Sequence, residues 1–497
     1  MKRLLGTLAS ITVLVGTGYW DNAQTHDEPT LHHLLPPAVA DTSYYDNGSP
    51  REEKIELGRM LFFDKVLSGN ENISCATCHH PNHASADGVA LSLGEGAAGL
   101  GPDRRPGPTP KDSVHERVPR NSPAVFNLGA REFTRLFHDG RVETDPNGYF
   151  EGNFVTPAKW KLPAGLDNVL AAQAMFPVGS PTEMAGQKGE NSIADAVSLN
   201  NMAGKNGVWE QLAFRLQSIP AYVELFKEAY PEEVQQATDI TFVHAANAIA
   251  AFETQAFRTD GSPFDHYLRG SRNKMDRDEK RGMALFYGEA QCSSCHAGAF
   301  QTDHDFHAIA MPQIGPGKAD GRHADYWRAS GHEAFLEDFG RGRVTVRPED
   351  DFKFRTPSLR NVELTGPWGH DGAYETLAEV VRHHLNPVAA LDAYEPRDTE
   401  LLPIGRVLEL TASGSSLSQS WLSDTRQKGF ELRDSWVQNN PELRSRIAQA
   451  NELPRVELTE QEVDDLVAFL RSLTDPRAKD LAELVPDDVP SGLTIED

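Results

Sequence analysis

The chain has 497 residues, 73 of them acidic and 48 basic, for a formal charge of −25 at pH 7. So large an acidic excess argues against nucleic acid and anionic membrane surfaces as partners, and it would steer in a basic redox protein. The length suits two or three domains with a substantial core.

Lys2 and Arg3 precede an apolar run, Leu4 to Val15, which is too short for a comfortable membrane span. This predicts a signal peptide over residues 1–23, with an uncleaved N-terminal anchor as the alternative. Residues 24–50 are polar and irregular and read as a linker. Beyond the leader, no stretch is long and apolar enough to cross a bilayer.

Arg51 to Phe63 has helical spacing and carries Gly58, Leu61 and Phe62 shortly before Cys75-Ala76-Thr77-Cys78-His79. The same order returns as Gly282, Leu285 and Phe286 ahead of Cys292-Ser293-Ser294-Cys295-His296. In a Cys-x-x-Cys-His pentapeptide the two thiols reach the vinyl groups of a haem and the imidazole reaches its iron. The two motifs use all four cysteines, so two haems c are predicted and no disulfide. Covalent attachment of this kind takes place outside the cytoplasm, which predicts a periplasmic protein.

The duplication continues. Ser122-Pro123, Asn127 and His138-Asp139-Gly140 in the first half match Thr356-Pro357, Asn361 and His370-Asp371-Gly372 in the second. Each half then has a short helix, Val169 to Met175 and Thr376 to His384. Aligned on Leu170 and Leu377, the second helix offers His384 as a sixth iron ligand where the first has Pro177, which has no side-chain donor. One haem is thus expected closed and the other open. Just past Pro177, Glu183 places a carboxylate where the open face would lie, able to carry a proton between peroxide oxygens. A surface loop acid is the alternative reading.

Over roughly Arg51 to Pro476 the chain resembles the bacterial diheme cytochrome c peroxidase and MauG family. The resemblance is carried by LGRMLFFDKVLSG, SCATCH, ADGVALSLG, PRNSPAVFN, FHDGR, PTEM, CSSCH, FRTPSLRNVELTGPWGHDG and LVAFLRSLTDP. It implies a mainly α fold of two cytochrome c-like haem domains with long loops, peroxidatic at residues 51–268 and electron-transferring at 269–476. By resemblance, His79 and His296 are the proximal ligands, Glu183 is the catalytic glutamate and Gln173 its distal neighbour. The resemblance further implies a calcium ion between the domains at Asn121, Thr365 and Pro367, and a basic residue, Arg355, near the haem propionates.

Three departures from the family are legible. The family has Met or Tyr where His384 stands, so a bis-imidazole haem of lower potential is predicted, with His383 as rival ligand. Many members latch the resting peroxidatic haem with a loop histidine; here Glu95 takes that place, and His115, within a long insertion over 97–118, is expected to be an exposed loop residue. The family's inter-haem Trp is replaced by His138, which is much harder to oxidise.

The remaining segments read as structural. His244 lies in a helix over Thr241 to Phe257, and His307 in a long loop, Asp303 to Glu349, expected over the second haem. Leu391 to Arg455 reads as a surface insertion. Thr459 and Glu462 form a capping box for the last helix. The acidic tail, residues 477–497, is predicted to be disordered.

The leading function is reduction of hydrogen peroxide to water with electrons from a small redox donor, a c-type cytochrome or cupredoxin. MauG-like oxidation of residues on a partner protein is the alternative, and a non-catalytic diheme carrier the second. A homodimer is compatible with the sequence.

Overall fold

The computed structural model describes residues 33–107, 114–149, 153–318, 336–396, 401–405, 408–413, 416–421 and 424–495. The signal peptide and the first part of the linker lie outside the described residues. The fold is mainly helical, with only short β ladders. Among the described residues no helix is long and apolar enough to cross a membrane.

Six helices organise the two haem motifs: α1 (Glu52–Phe63), α2 (Val169–Ala174), α3 (Phe242–Ala256), α4 (Arg277–Tyr287), α5 (Leu377–Leu385) and α6 (Glu460–Ser472). The repeated Gly-x-x-Leu-Phe block acquires a physical reason in two matching helix crossings. A Cβ on Gly58 of α1 would overlap the Ala248 carbonyl of α3, and one on Gly282 of α4 would overlap the Asp465 carbonyl of α6. Glycine lets each pair of backbones touch, and the aromatic one turn later seals the crossing. Phe62 meets Phe252 at 5.3 Å between centroids, and Phe286 meets Phe469 at 5.0 Å.

Two cores form around these crossings, one containing Leu61, Phe62, Phe252 and Phe257 and the other Phe264, Phe286, Phe469 and Leu470. They are tied by a symmetrical polar joint. Asn127 and Asn361, both with left-handed backbones, donate their amide nitrogens to the one Thr259 hydroxyl at 2.9 and 2.8 Å. Asparagine tolerates positive φ better than most side chains, and burial obliges its amide to find partners.

The capping box on α6 is present, with Thr459 N donating to Glu462 and Glu462 N to the Thr459 hydroxyl. The tail departs from expectation: instead of being disordered, it packs back on the first core. Ala478, Leu481 and Val489 are buried there, and the Ser491 hydroxyl donates to Asp64 at 2.7 Å. Its spaced apolar residues supply burial that the acidic average conceals.

The two insertions lie against each other. Arg117 pairs with Asp434 at 3.0 Å and Arg433 with Glu116 at 2.8 Å, while Leu402 and Ile404 pack on Val89, Leu93, Ala97 and Val114. The 391–455 segment is thus not wholly a surface appendage: Leu443 and Ile447 form a small core with Leu336, Phe352 and Leu391.

Candidate haem centres and distal pocket

At the first motif, Cys75–Cys78 form one helical turn capped by Ser74, whose N–H donates to the Thr77 hydroxyl. His79 follows as the turn ends. Its Nδ1 lies 3.3 Å from both the Ser85 carbonyl and the Ser122 hydroxyl, and Ser122 donates onward to the Cys78 carbonyl at 2.7 Å. With Nδ1 engaged, Nε2 is the nitrogen left for a metal, and burial, the leading cause, lowers the proton affinity of the ring. Burial also pushes the Cys75 thiol up to about 12.

The second motif repeats the device. His296 Nδ1 sits 3.2 Å from the Gln301 carbonyl, and burial brings the ring down to about 4. Facing it is His384, in the last turn of α5, with ring centroids 6.3 Å apart and planes at 55°. Two imidazoles bound to opposite sides of one metal ion at about 2 Å place their centroids roughly 6 Å apart, so this pair fits an iron between them. His384 Nδ1 is held by the Val380 carbonyl at 2.7 Å. The rival, His383, is fully buried elsewhere, with one nitrogen 2.7 Å from the Ile309 carbonyl and the other 2.8 Å from the Tyr374 hydroxyl.

The corresponding place in the first half holds no histidine. Pro177 opens a tight turn after α2, and Pro181–Ala185 forms a wide turn that presents Glu183. The turn is held from below by Gly69 N donating to the Met184 carbonyl at 2.7 Å, and Gly94 packs closely on Thr182 and Glu183. Gln173 stands half-buried near the end of α2. A cation absent from the sequence reading joins them: Lys318 Nζ lies 3.7 Å from Glu183 Oε1. The long loop expected over the second haem thus reaches the first centre.

At the latch position, Glu95 is buried and accepts from Asn70 and Asn72 at 2.6 and 2.9 Å, while its N–H donates to the Thr182 carbonyl. Burial, the leading cause, raises its carboxyl. His115 is not an exposed loop residue; its side chain is 16% exposed and lies 3.6 Å from Glu190. It is turned toward Glu190, while its neighbours Glu116 and Arg117 pair with the second insertion. His307 hydrogen-bonds Asp303 at 2.8 Å. Together with Cys295, in the second Cys-x-x-Cys-His motif, their ligand atoms gather within 4.8 Å. His244 has a structural place, capping α3 through Thr241.

His138 Nε2 lies 3.1 Å from the Asn121 carbonyl, and its own carbonyl accepts from Arg355 N at 2.8 Å. Burial, followed by the neighbouring Arg120 charge, depresses His138 to about 4. Arg120 spans the joint, forked onto Asp338 at 2.6 and 2.7 Å and paired with Asp139 at 2.8 Å. Arg355 has only carbonyls as described hydrogen-bond acceptors, Phe137 and Thr356, and burial lowers it to about 10. A guanidinium in that state fits an anionic haem propionate as its missing partner.

Of the residues matched to a calcium site, Asn121 N donates to the His370 carbonyl at 2.9 Å, three residues beyond Pro367. Its side-chain nitrogen donates to the Val89 and Ala90 carbonyls, which turns that amide's oxygen to the other side. Thr365 follows a single helical turn, and Pro367 follows a cis peptide.

Two Cys-x-x-Cys-His centres, one whose histidine is faced by a second histidine and one whose histidine feels the Glu183 charge, fit a diheme oxidoreductase of the peroxidase class. Residues 52–273 match the di-haem cytochrome c peroxidase family. The chain is 30% identical to the cytochrome c551 peroxidase of Pseudomonas aeruginosa over 72% of its own length and 78% of the relative's. It is 29% identical to the methylamine utilization protein MauG of Methylorubrum extorquens, over 67% and 69% of the two chains. Among solved structures, a MauG-like protein associated with microbial copper homeostasis shares the fold at a TM-score of 0.53 and 24% identity, covering 91% of this chain and 96% of that one. The diheme peroxidase BthA of Burkholderia thailandensis does so at 0.52 and 21%, covering 90% and 92%. The chain belongs to the diheme cytochrome c peroxidase and MauG family. It is an oxidoreductase of the cytochrome c peroxidase type, and the family's two haems are its cofactors.

Proposed function

We propose that the protein reduces hydrogen peroxide to water at the His79 centre with electrons that enter at the His296/His384 centre. The donor is a small c-type cytochrome or cupredoxin, and the setting is the periplasm. The observation that carries this reading is the asymmetry between the centres: the 6.3 Å histidine pair on one, and Pro177 with Glu183 on the other.

In this reading Cys75, Cys78, Cys292 and Cys295 would hold the two haems through thioether links, and His79, His296 and His384 would be their imidazole ligands. The bound haems supply the redox change, two electrons per peroxide, which with two protons yields two waters. Glu183 takes the proton from the near peroxide oxygen and gives it to the far one, which leaves as water. Gln173 orients the bound peroxide, and Arg355 balances a propionate beside His138. Residues 51–268 and 269–476 are the peroxidatic and electron-transfer domains, and a calcium ion at Asn121, Thr365 and Pro367 stiffens their junction.

Peroxide-dependent oxidation of a reduced small c-type cytochrome tests the assignment. Glu183→Gln should lower the rate by about a hundred- to ten-thousandfold with both haem spectra intact. Full retention of activity would leave Glu183 a loop acid. Transfer of oxidising equivalents to a protein partner is the second reading; it is favoured only if peroxide reacts and the cytochrome does not.

A further inference from the structure

The distal carboxylate has a cation, and it comes from the other half of the chain. Lys318 Nζ stands 3.7 Å from Glu183 Oε1, with the two side chains 18% and 23% exposed. At that distance the contact is ionic rather than a close hydrogen bond. Among the described residues Lys318 is the cation paired with Glu183; the nearby Arg120 and Arg141 are both committed to Asp139, and Arg120 also to Asp338.

The segment that leads into Lys318 is held by backbone hydrogen bonds. Ile314 N donates to Asp371 Oδ2 at 2.8 Å, and Gly315 N to the Asp434 carbonyl at 3.1 Å. Gly315, at φ +73, leaves no room for a Cβ beside Leu91, and Gly317 leaves none beside Leu336 and Glu337. Ile314 shares a buried cluster with Leu91, Met311 and Ala373. The ammonium is thus delivered to the first haem's pocket by a wedged stretch of backbone.

We propose that Lys318 is a positioning residue of the peroxide pocket, whose ammonium pairs with Glu183 and so keeps it ready to accept the peroxide proton. The proposal rests on the proton-carrier role of Glu183. Lys318 keeps its own proton throughout: the O–H bond of peroxide breaks toward Glu183, and the same proton leaves with the far oxygen as water. The charged groups that bear on Lys318 are Glu183 and Asp139, which favour its ammonium, and Arg141 and Arg120, which oppose it. The Glu95 carboxylate, on the neighbouring loop, is turned to Asn70 and Asn72. Burial, the leading cause, brings Lys318 down to about 8, with Glu183 acting against that shift.

Cyanide provides a probe without turnover, because hydrogen cyanide must also surrender its proton to a distal base as it binds ferric haem. Cyanide association and the peroxide reaction are followed against pH in the holoenzyme and in Lys318→Met, Lys318→Arg and Glu183→Gln. Lys318→Met should move the acid limb of both profiles to higher pH, slowing both about two- to fivefold on that limb, with convergence at alkaline pH. Lys318→Arg should restore the limb. An unmoved limb in Lys318→Met, while Glu183→Gln abolishes the reaction, overturns the proposal alone. Equal slowing at every pH without rescue by Arg overturns it in favour of a structural role. Full rates in Glu183→Gln overturn the underlying reading instead. A low-spin first haem that turns high-spin in Lys318→Met overturns it too, since Lys318 would then be an iron ligand.

Discussion

His384 and His296 face each other with centroids 6.3 Å apart, while His383, its neighbour on α5, is hydrogen-bonded through both ring nitrogens to Ile309 and Tyr374. Successive helical positions differ by about a hundred degrees, so one histidine turns to His296 and the other into the protein.

His384→Ala should convert the second haem from low-spin to high-spin in its ferric absorbance and electron paramagnetic resonance spectra. His383→Ala should leave the spin state unchanged and lower stability by removing a buried hydrogen-bond partner. A low-spin second haem in His384→Ala contradicts the ligand assignment.

The joint between the halves makes a separate prediction. Thr259→Val leaves the Asn127 and Asn361 amides without their shared acceptor. Buried unsatisfied donors cost about 1–3 kcal/mol, so thermal or denaturant unfolding should begin earlier, with the haem spectra unchanged in the folded protein.

The haem motifs, the capping box on α6 and the paired Asn127 and Asn361 were legible because each is a local pattern or a repeat. Lys318 was not. It meets Glu183 across 135 residues of sequence, with no periodicity or motif to announce it. The same holds for Arg120 and Asp338, 218 residues apart. The tail misled for another reason, since its average charge hides the few apolar residues that pack on the first core. His115 misled because an insertion rich in Pro and Gly reads as exposed, whereas the imidazole turns toward Glu190, 75 residues away in sequence.

Acid sensitivity follows from His138. Burial, with Arg120 beside it, holds His138 near 4, so the unfolded chain binds a proton that the folded protein refuses. The stability tied to this group is complete above about pH 6.5 and is lost as pH falls toward 4. The melting temperature of His138→Gln should therefore fall less steeply than that of the parent between those values. Parallel curves would remove His138 from the account.

Calcium removal offers a fourth test. Chelation should slow electron transfer from the His296/His384 haem to the His79 haem, and Asn121→Ala should reproduce the effect without chelator. Indifference to chelator and to the substitution would empty the proposed site.

The account rests most heavily on an open first haem, and stopped-flow absorbance addresses it directly. Oxidised and half-reduced holoprotein are mixed with hydrogen peroxide, and then with a reduced small c-type cytochrome. A fast change in the haem absorbance, discharged repeatedly by the cytochrome, is the predicted result. The absence of any peroxide-induced change in either redox state would contradict it, because the His79 haem would then be closed.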